Sequence, residues 1–254
     1  MDGYLSDAFN KNIYNLRNQY KTEYEIADKI GELLYYVAET YCIKGTEQRN
    51  VYVTASIIQI YKYYQSSIIL LERGLNEAAF SLVRSMIELS FKIIEVIRNK
   101  NSLYKIILKE QFEEKSILNY LKEKELYNLV DKETLNKKLE EIDKVIEGKK
   151  KPKKETSIYT IGDNNELYDA YAVYKYNCDY VHLSTRTIME KVEFNKDGIF
   201  INSNPEFKNF KENINFIITI PLFILPYIVE YVNTEDVNKK FNRINKRIEE
   251  YMGQ

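Results

Sequence analysis

The segment NEAAFSLVRSMIELSFKIIEVIRN occupies residues 76–99 and is apolar around most of its circumference when it is drawn as a helix. A helix that is hydrophobic on nearly all sides is normally buried inside a protein. This segment therefore predicts a central helix, around which the other helices of the chain pack.

Helical periodicity continues on both sides of this segment. The region just before it is expected to end near Gly74, because a glycine commonly closes a helix. A last helix is expected after Thr234, a typical N-cap residue. Apolar residues recur at helical spacing in residues 9–42, 51–72, 103–129, 132–147, 166–191 and 207–232.

One short segment has the pattern of strands instead. Residues 192–194 and 199–201 flank the stretch Asn195-Lys196-Asp197-Gly198, and the pair Asp197-Gly198 within it is typical of a hairpin turn. The chain has only 8 glycines and 4 prolines in 254 residues, too few for a turn-rich β fold. The sequence thus predicts an all-α, multi-helix bundle with one small β-hairpin near 192–203, and residues 1–254 are expected to form a single helical domain.

The stretch from 148 to 165 differs from its surroundings, because it combines a lysine run with Pro152 and Gly162. Such a composition predicts an exposed loop. Either the lysines simply keep a linker solvated, or they attract the phosphates of RNA or DNA without sequence preference. The lysines are Lys149, Lys150, Lys151, Lys153 and Lys154.

Composition excludes several classes of site. The formal net charge is −1, so no global field draws the chain to nucleic acid or to a membrane surface. Cys42 and Cys178 have no CxxC spacing and indicate two free thiols in a reduced, cytoplasmic setting. With one histidine and two scattered cysteines, no metal site is expected, and no cofactor motif is present. The first residues lack the pattern of a signal peptide.

Residues 214–229 are almost wholly apolar and require a comparison with membrane spans. The stretch is shorter than the roughly 20 residues that cross a bilayer. It also contains Pro221 and Pro226, which kink a helix. We expect a kinked helix in the protein core and no association with a membrane.

A polar stripe runs along the predicted central helix. Its members follow one another at steps of one, three or four residues, which keeps them on one narrow face. The stripe is either the solvent face of the helix, tied by an Arg84–Glu88 pair, or the lining of a cleft in which Arg84 holds an anion. Its residues are Ser81, Arg84, Ser85, Glu88, Lys92 and Glu95.

A second polar stripe includes His182, the only histidine of the chain, with Asp179 one turn before it and Arg186 one turn after it. An imidazole and a guanidinium supply the proton transfer and the charge stabilisation that metal-independent cleavage of a phosphodiester needs. The same three residues also describe an ordinary salt-bridge cluster on a surface. The opposite, core-facing stripe is expected to hold Leu167, Tyr171, Tyr174, Cys178, Val181, Thr185 and Ile188.

The run from Tyr63 to Glu88 resembles a bacterial family of unassigned function. That family has an Arg-Ser-x-x-Glu helix, here Arg84 to Glu88, and a later helix that matches Tyr174, Cys178 and His182. The resemblance covers about residues 55–190. It implies that Arg84, Glu88, Tyr174 and His182 meet in one pocket.

A more distant similarity is to the HEPN superfamily of small helical bundles, many of which are ribonucleases of phage-defence and toxin–antitoxin systems. Those enzymes place an arginine shortly before the histidine on one helix. Here Arg186 follows His182, so that Arg84 would act from another helix. The resemblance implies a metal-independent RNase that works as a homodimer, with RNA or a nucleotide as substrate and a cognate antitoxin or defence protein as partner.

In this hypothesis the candidate residues have separate roles. His182 handles the proton, Arg84 and Arg186 stabilise the charge of the phosphate, and Glu88 and Asp179 orient them. The expected contacts with the substrate come from Tyr174, Tyr180, Ser85 and Lys175.

Two other functions fit the same residues. The chain could be a non-catalytic helical module that binds a nucleotide, a peptide or a defence partner through the same pocket. It could also be a structural dimerisation bundle whose polar stripes are merely hydrated.

Overall fold

A computed structural model describes residues 4, 6–42, 47–152, 157–181, 189, 192–196, 198–201 and 205–252. The fold is an all-α bundle, as the sequence predicts. The elements in chain order are α1 (Ala8–Gln19), α2 (Lys21–Cys42), α3 (Gln48–Glu72), α4 (Asn76–Arg98), α5 (Ser102–Glu123), α6 (Lys132–Ile146), α7 (Ile158–Asn164), α8 (Tyr168–Val181), β1 (Val192–Asn195), β2 (Gly198–Ile201), α9 (Phe210–Val232) and α10 (Glu235–Met252).

The helix α4 lies at the centre of the bundle and packs against α3, α7, α8 and α9. Phe91 is fully buried and meets the ring of Phe223 edge to face, with 5.9 Å between the ring centroids. The ring of Phe80 makes a similar contact with Phe216 at 5.7 Å. Burying one such side chain contributes about 1.5–3 kcal/mol. The sequence-based expectation of a central helix over 76–99 is confirmed.

The turn between α3 and α4 is built on Gly74, whose φ is +70°. The amide of Leu75 donates to the carbonyl of Leu70 at 3.0 Å, and the amide of Gly74 donates to the carbonyl of Leu71 at 2.9 Å. These two bonds form a Schellman motif, which ends a helix and requires a left-handed residue. The amide of Glu206 donates to the carbonyl of Gly74 at 3.2 Å, so a distant segment packs directly on this turn.

The apolar helix α9 continues through Pro221 and Pro226 and packs against α2, α3 and α4. Among the described helices it is the one that is long and apolar enough to cross a membrane, and half of its most apolar stretch is buried inside the fold. A helix of the protein core must be buried, so this burial agrees with the expectation of a core helix over residues 214–229.

The expected hairpin is present, but Gly198 is the first residue of β2 instead of part of the turn, and Asp197 lies outside the described residues. β1 and β2 pair in antiparallel fashion, with Val192 opposite Ile201 and Asn195 opposite Gly198. The hairpin follows α8 and precedes α9, and the two strands form a sheet of their own.

Two predicted helices are wrong in their bounds. The expected helix 9–42 is interrupted at Tyr20, whose ring stacks on Phe210 with 5.0 Å between the centroids. The expected helix 103–129 ends at Glu123, because Glu125 adopts a left-handed φ of +51°. The amide of Leu126 then donates to the carbonyl of Leu121, which closes the helix without a glycine.

The expectation of an exposed loop over 148–165 is wrong for its last part, which forms α7. Ser157 caps this short helix by accepting a hydrogen bond from the amide of Thr160 at 3.1 Å. Ile161 is fully buried, and Gly162 lies close to the ring of Phe91. The apolar face of α7 therefore belongs to the main core rather than to solvent.

The helices α5 and α6 form a hairpin with a small core separate from that of the central bundle. Lys149 to Lys151 follow α6, and two of these lysines contact α5, whereas Lys153 and Lys154 lie outside the described residues. Lys149 lies 5.5 Å from the ring centroid of Tyr104, and Lys151 lies 4.0 Å from Glu113. The small core consists of Leu108, Leu118, Leu135, Leu139, Ile142 and Ile146.

Tyr52 of α3 should make the protein less stable at high pH. Burial, and then the charge of Glu110, raises the pKa of Tyr52 to about 12, whereas an unfolded tyrosine titrates near pH 10. Because the pKa is higher in the folded state, the contribution of Tyr52 is complete below about pH 10. We expect about 3 kcal/mol of the free energy of unfolding to be lost as the pH rises from about 10 to about 12.

Denaturant unfolding at about pH 10 and at about pH 12 measures this loss. The variant Tyr52→Phe cannot ionise at this position and should lose less stability over the same interval. An equal loss in the variant and the wild type would contradict the assignment to Tyr52.

Candidate functional site

Arg84 joins α4 to α8. Its Nη2 atom donates to the hydroxyl oxygen of Tyr174 at 3.0 Å, and its Nε atom donates to the Sγ atom of Cys178 at 3.5 Å. The guanidinium carbon lies 5.1 Å from the ring centroid of Tyr174. Two side chains one turn apart on α8 therefore fix the guanidinium in position.

The same guanidinium contacts a carboxylate on its own helix. Nη1 of Arg84 lies 3.5 Å from Glu88, and the side chains of these residues are 21% and 31% exposed. Lys92 lies 3.9 Å from Glu88 and 3.3 Å from Glu110 of α5. Neighbouring helices thus cover part of the stripe. It is neither a fully exposed solvent face nor the lining of an enclosed cleft, the two alternatives that the sequence leaves open.

The electrostatics of the cluster keep Arg84 charged and Tyr174 neutral. Partial burial lowers the pKa of the Arg84 guanidinium, but its contacts with Cys178, Tyr174 and Glu88 raise the pKa by more, so the net shift is upward. Burial raises the pKa of the Tyr174 hydroxyl, and the charge of Glu88 adds to this rise while that of Arg84 opposes it. Tyr174 accepts a hydrogen bond from Arg84, and its hydrogen bond with the thiol of Cys178 also raises the pKa of the hydroxyl.

This geometry provides a positive charge and a neutral hydroxyl donor side by side. A planar guanidinium suits the oxygens of a phosphate, to which it donates two parallel hydrogen bonds. Charge-assisted donors of this kind are effective where a phosphoryl group gains negative charge in a reaction.

The other predicted site residues have different positions. The Ser85 hydroxyl is half-buried and donates to the carbonyl of Ser81 at 3.2 Å. Lys175 is exposed on α8. Asp179 and Tyr180 belong to the last turn of α8, where the structure describes the backbone only. His182 and Arg186 lie outside the described residues.

The predicted core stripe is met only in part: Leu167 is buried, whereas Thr185, Ile188 and the side chain of Val181 lie outside the described part of the chain. Tyr171, Tyr174 and Cys178 are half-buried, whereas Asn177 is fully buried. Its Nδ2 atom donates to the carbonyl of Val173 at 2.8 Å, and its Oδ1 atom has no protein partner in the described part of the chain. The buried face is therefore centred one position earlier than the sequence pattern predicts.

A network that the sequence did not predict holds α7 against α4 and α5. The buried carboxylate of Glu95 accepts hydrogen bonds from Asn165 at 2.8 Å and from Ser102 at 2.5 Å. Arg98 donates to the side chain of Asn165 at 3.1 Å. A cavity of about 130 Å³ adjoins this network and is lined by Glu95, Ser102 and Lys105, among others.

A second concave region lies between α2 and α10. It encloses about 180 Å³, with Leu33 and Ile244 as apolar lining. The cation Arg243 has no partner among the residues described. Three further cations line the region, Lys29 beside Glu32 at 2.7 Å, Arg247 at 3.2 Å from Glu25, and Lys240 at 3.4 Å from the ring centroid of Tyr36. The sequence does not reveal this region, because its residues are some 200 positions apart.

Metal ligands are not grouped in the part of the chain that the structure describes. No three histidine, cysteine, aspartate or glutamate side chains lie close enough there to hold an ion.

The sequence model of a family of unknown function, DUF5677, matches residues 50–199, which is more than half of the chain. The chain belongs to this family. The DUF5677 match contains α4 and α8, and with them the contacts of Arg84 with Tyr174 and Cys178. The groove between α2 and α10 lies outside the DUF5677 match. No curated protein and no solved structure matches the chain.

Proposed function

We propose that the protein is a HEPN-like, metal-independent ribonuclease of a phage-defence or toxin–antitoxin system. The observation that carries this proposal is the guanidinium of Arg84, which Tyr174 and Cys178 hold at the α4–α8 contact. Cys178 precedes His182 by four residues. Arg84 therefore contacts α8 shortly before the single histidine of the chain.

The reaction follows from these groups. The imidazole of His182 removes the proton from a ribose 2′-hydroxyl, and the 2′ oxygen forms a bond to the adjacent phosphorus. Arg84 and Arg186 stabilise the negative charge that develops on the phosphoryl oxygens. The bond from phosphorus to the 5′ oxygen breaks, water protonates the leaving oxygen, and a 2′,3′-cyclic phosphate remains.

The other polar residues position the reacting groups. Glu88 contacts Arg84 at 3.5 Å and orients the guanidinium, and Asp179 orients the imidazole. The hydroxyl of Tyr174 donates its proton in a hydrogen bond to a phosphate oxygen. Tyr180, Ser85 and Lys175 contribute further contacts with the RNA.

Incubation of the purified protein with total RNA in the presence of EDTA tests the proposal. The wild type should cleave RNA without a divalent metal ion, and His182→Ala should cleave about a hundred- to ten-thousandfold more slowly. His182→Gln is the matched variant, because it keeps a polar side chain but cannot accept and release a proton near neutral pH. Cleavage that both variants retain would exclude His182 from the mechanism.

The proposal includes a cytoplasmic homodimer that a cognate antitoxin or defence protein regulates. Two protomers then form the cleft together, as the HEPN resemblance implies. Sedimentation of the purified protein gives the mass of the assembly.

A second candidate function is a non-catalytic binding module. The groove between α2 and α10 favours it, because Arg243 offers a positive charge beside the aliphatic Leu33 and Ile244. Such a module binds an anionic ligand without cleaving it. Salt-sensitive binding of RNA that persists unchanged in His182→Ala, with no cleavage by the wild type, would favour this function.

A further inference from the structure

Three tyrosine rings form a continuous row that ends at Arg84. The centroids of Tyr159 and Tyr171 are 5.5 Å apart, and their planes meet at 72°. The centroids of Tyr171 and Tyr174 are 6.1 Å apart, with an angle of 29°. The guanidinium carbon of Arg84 lies 5.1 Å from the last ring. We call these three residues the tyrosine row.

The outer end of the row is open to solvent while its base is fixed. The side chain of Tyr159 is 61% exposed, whereas Tyr171 and Tyr174 are half-buried. Tyr159 belongs to α7, which buried Ile161 anchors in the core. The hydrogen bonds of Asn165 with Glu95 and Arg98 fix the end of the same helix. An exposed aromatic ring on an anchored helix loses little freedom when it binds a ligand.

The inner end of the row carries a positive charge, because the guanidinium of Arg84 lies against the ring of Tyr174. In the amino-acid sequence the lysine run comes shortly before α7. Aromatic rings next to cations are the usual components of a surface that binds single-stranded nucleic acid.

We propose that the tyrosine row binds the unpaired bases of a single-stranded nucleic acid whose phosphate lies at Arg84. One base stacks on the exposed ring of Tyr159, and the edges of Tyr171 and Tyr174 line the path from that base to the guanidinium. Since neighbouring rings of the row touch one another, bases stack on the end and the side of the row and do not insert between the rings. The inference rests on the proposed function in one respect, the phosphate at Arg84.

This geometry selects single strands over duplexes. In an A-form duplex the bases are stacked on one another and paired, so none is free to stack on a tyrosine. Unpaired bases offer a π face regardless of their identity, so the row selects for strandedness and not for sequence.

Fluorescence anisotropy with a labelled single-stranded DNA oligonucleotide tests the inference, because DNA lacks the 2′-hydroxyl and stays intact. The variant Tyr159→Ala loses one base–aromatic stack and should bind the oligonucleotide about five- to 150-fold more weakly than the wild type. Tyr159→Phe keeps the ring and should bind like the wild type. The matched control is Tyr168→Ala, since Tyr168 is also 61% exposed and lies on α8 outside the row.

Two further probes separate stacking from general attraction of phosphates. A duplex of the same sequence and an abasic strand of the same length should both bind more weakly than the single strand, and Tyr159→Ala should affect neither. Equal losses in Tyr159→Ala and Tyr168→Ala, or equal affinity for the abasic strand, would overturn the inference.

Binding and cleavage are measured separately, so this inference and the proposed function fail in different ways. If binding depends on Tyr159 but the protein cleaves no RNA, the proposed ribonuclease activity is wrong and the role of the tyrosine row in binding stands. If cleavage depends on His182 but Tyr159→Ala binds like the wild type, the role of the tyrosine row is wrong and the proposed ribonuclease activity stands.

Discussion

Arg84→Gln should reduce the cleavage of RNA by about a hundred- to a thousandfold, the usual effect of removing one preorganised charge stabiliser. Arg84 makes its contacts with Tyr174, Cys178 and Glu88 through three different nitrogen atoms. Glutamine is shorter and neutral, so it cannot reproduce these contacts or the charge. Initial rates with a fluorescent RNA substrate measure the effect, and circular dichroism checks that the helices remain.

Variants around Arg84 separate its charge from its geometry. Arg84→Lys keeps the charge but loses the planar fork, and we expect an intermediate rate. Tyr174→Phe and Cys178→Ala each remove one acceptor of the guanidinium and should have smaller effects than the loss of Arg84 itself.

Lys92→Gln is the matched control for Arg84→Gln. Lys92 carries the same charge on the same stripe of α4, and its side chain is 25% exposed against 21% for Arg84. It contacts Glu88 and Glu110 but is not among the residues that we assign to the reaction. An equal loss of activity in the two variants would show that general positive charge, and not the position of Arg84, supports cleavage.

Gly74→Ala should lower the free energy of unfolding by about 2–5 kcal/mol. A left-handed conformation costs an L-residue about 1–2 kcal/mol, and overpacking costs about 1–3 kcal/mol more. A Cβ atom on Gly74 would lie 2.6 Å from the amide nitrogen of Glu206 and 2.8 Å from the Cα atom of Pro205. Both contacts are with backbone, which cannot move aside as a flexible side chain would.

Gly148→Ala provides the comparison. The φ of Gly148 is +68°, nearly that of Gly74, but a Cβ atom there would have nothing within 4 Å. We expect this variant to lose about 1–2 kcal/mol, the conformational part alone. Urea denaturation of both variants measures the difference. Equal losses would mean that residues 205–206 move away from the added Cβ atom at no cost.

The regular elements were predictable where local chemistry determines them. The apolar circumference of residues 76–99 indicated the central helix, and Gly74 marked the end of α3. The boundaries that the sequence does not reveal depend on contacts between distant parts of the chain. The break at Tyr20 accompanies its stacking on Phe210, and α7 is short and follows a lysine-rich stretch, yet Ile161 reaches the core.

The candidate site was predictable only in part for a similar reason. Arg84 and Glu88 are four residues apart on one helix, so helical geometry alone places them together. The contact of Arg84 with Tyr174 joins positions 90 residues apart, and periodicity carries no information about how α8 packs on α4. The resemblance to a family supplied that pairing. The phase of α8 was misjudged because Asn177, a polar residue, occupies a fully buried position.

The separate core of the α5–α6 hairpin has a consequence for how the protein can change. α6 packs against α5, and none of the six side chains of their shared core belongs to the central bundle. Insertions and deletions in the loop between α5 and α6 therefore leave the contacts of Arg84 intact. The α5–α6 hairpin can thus change in length without altering the contact between α4 and α8 that holds Arg84.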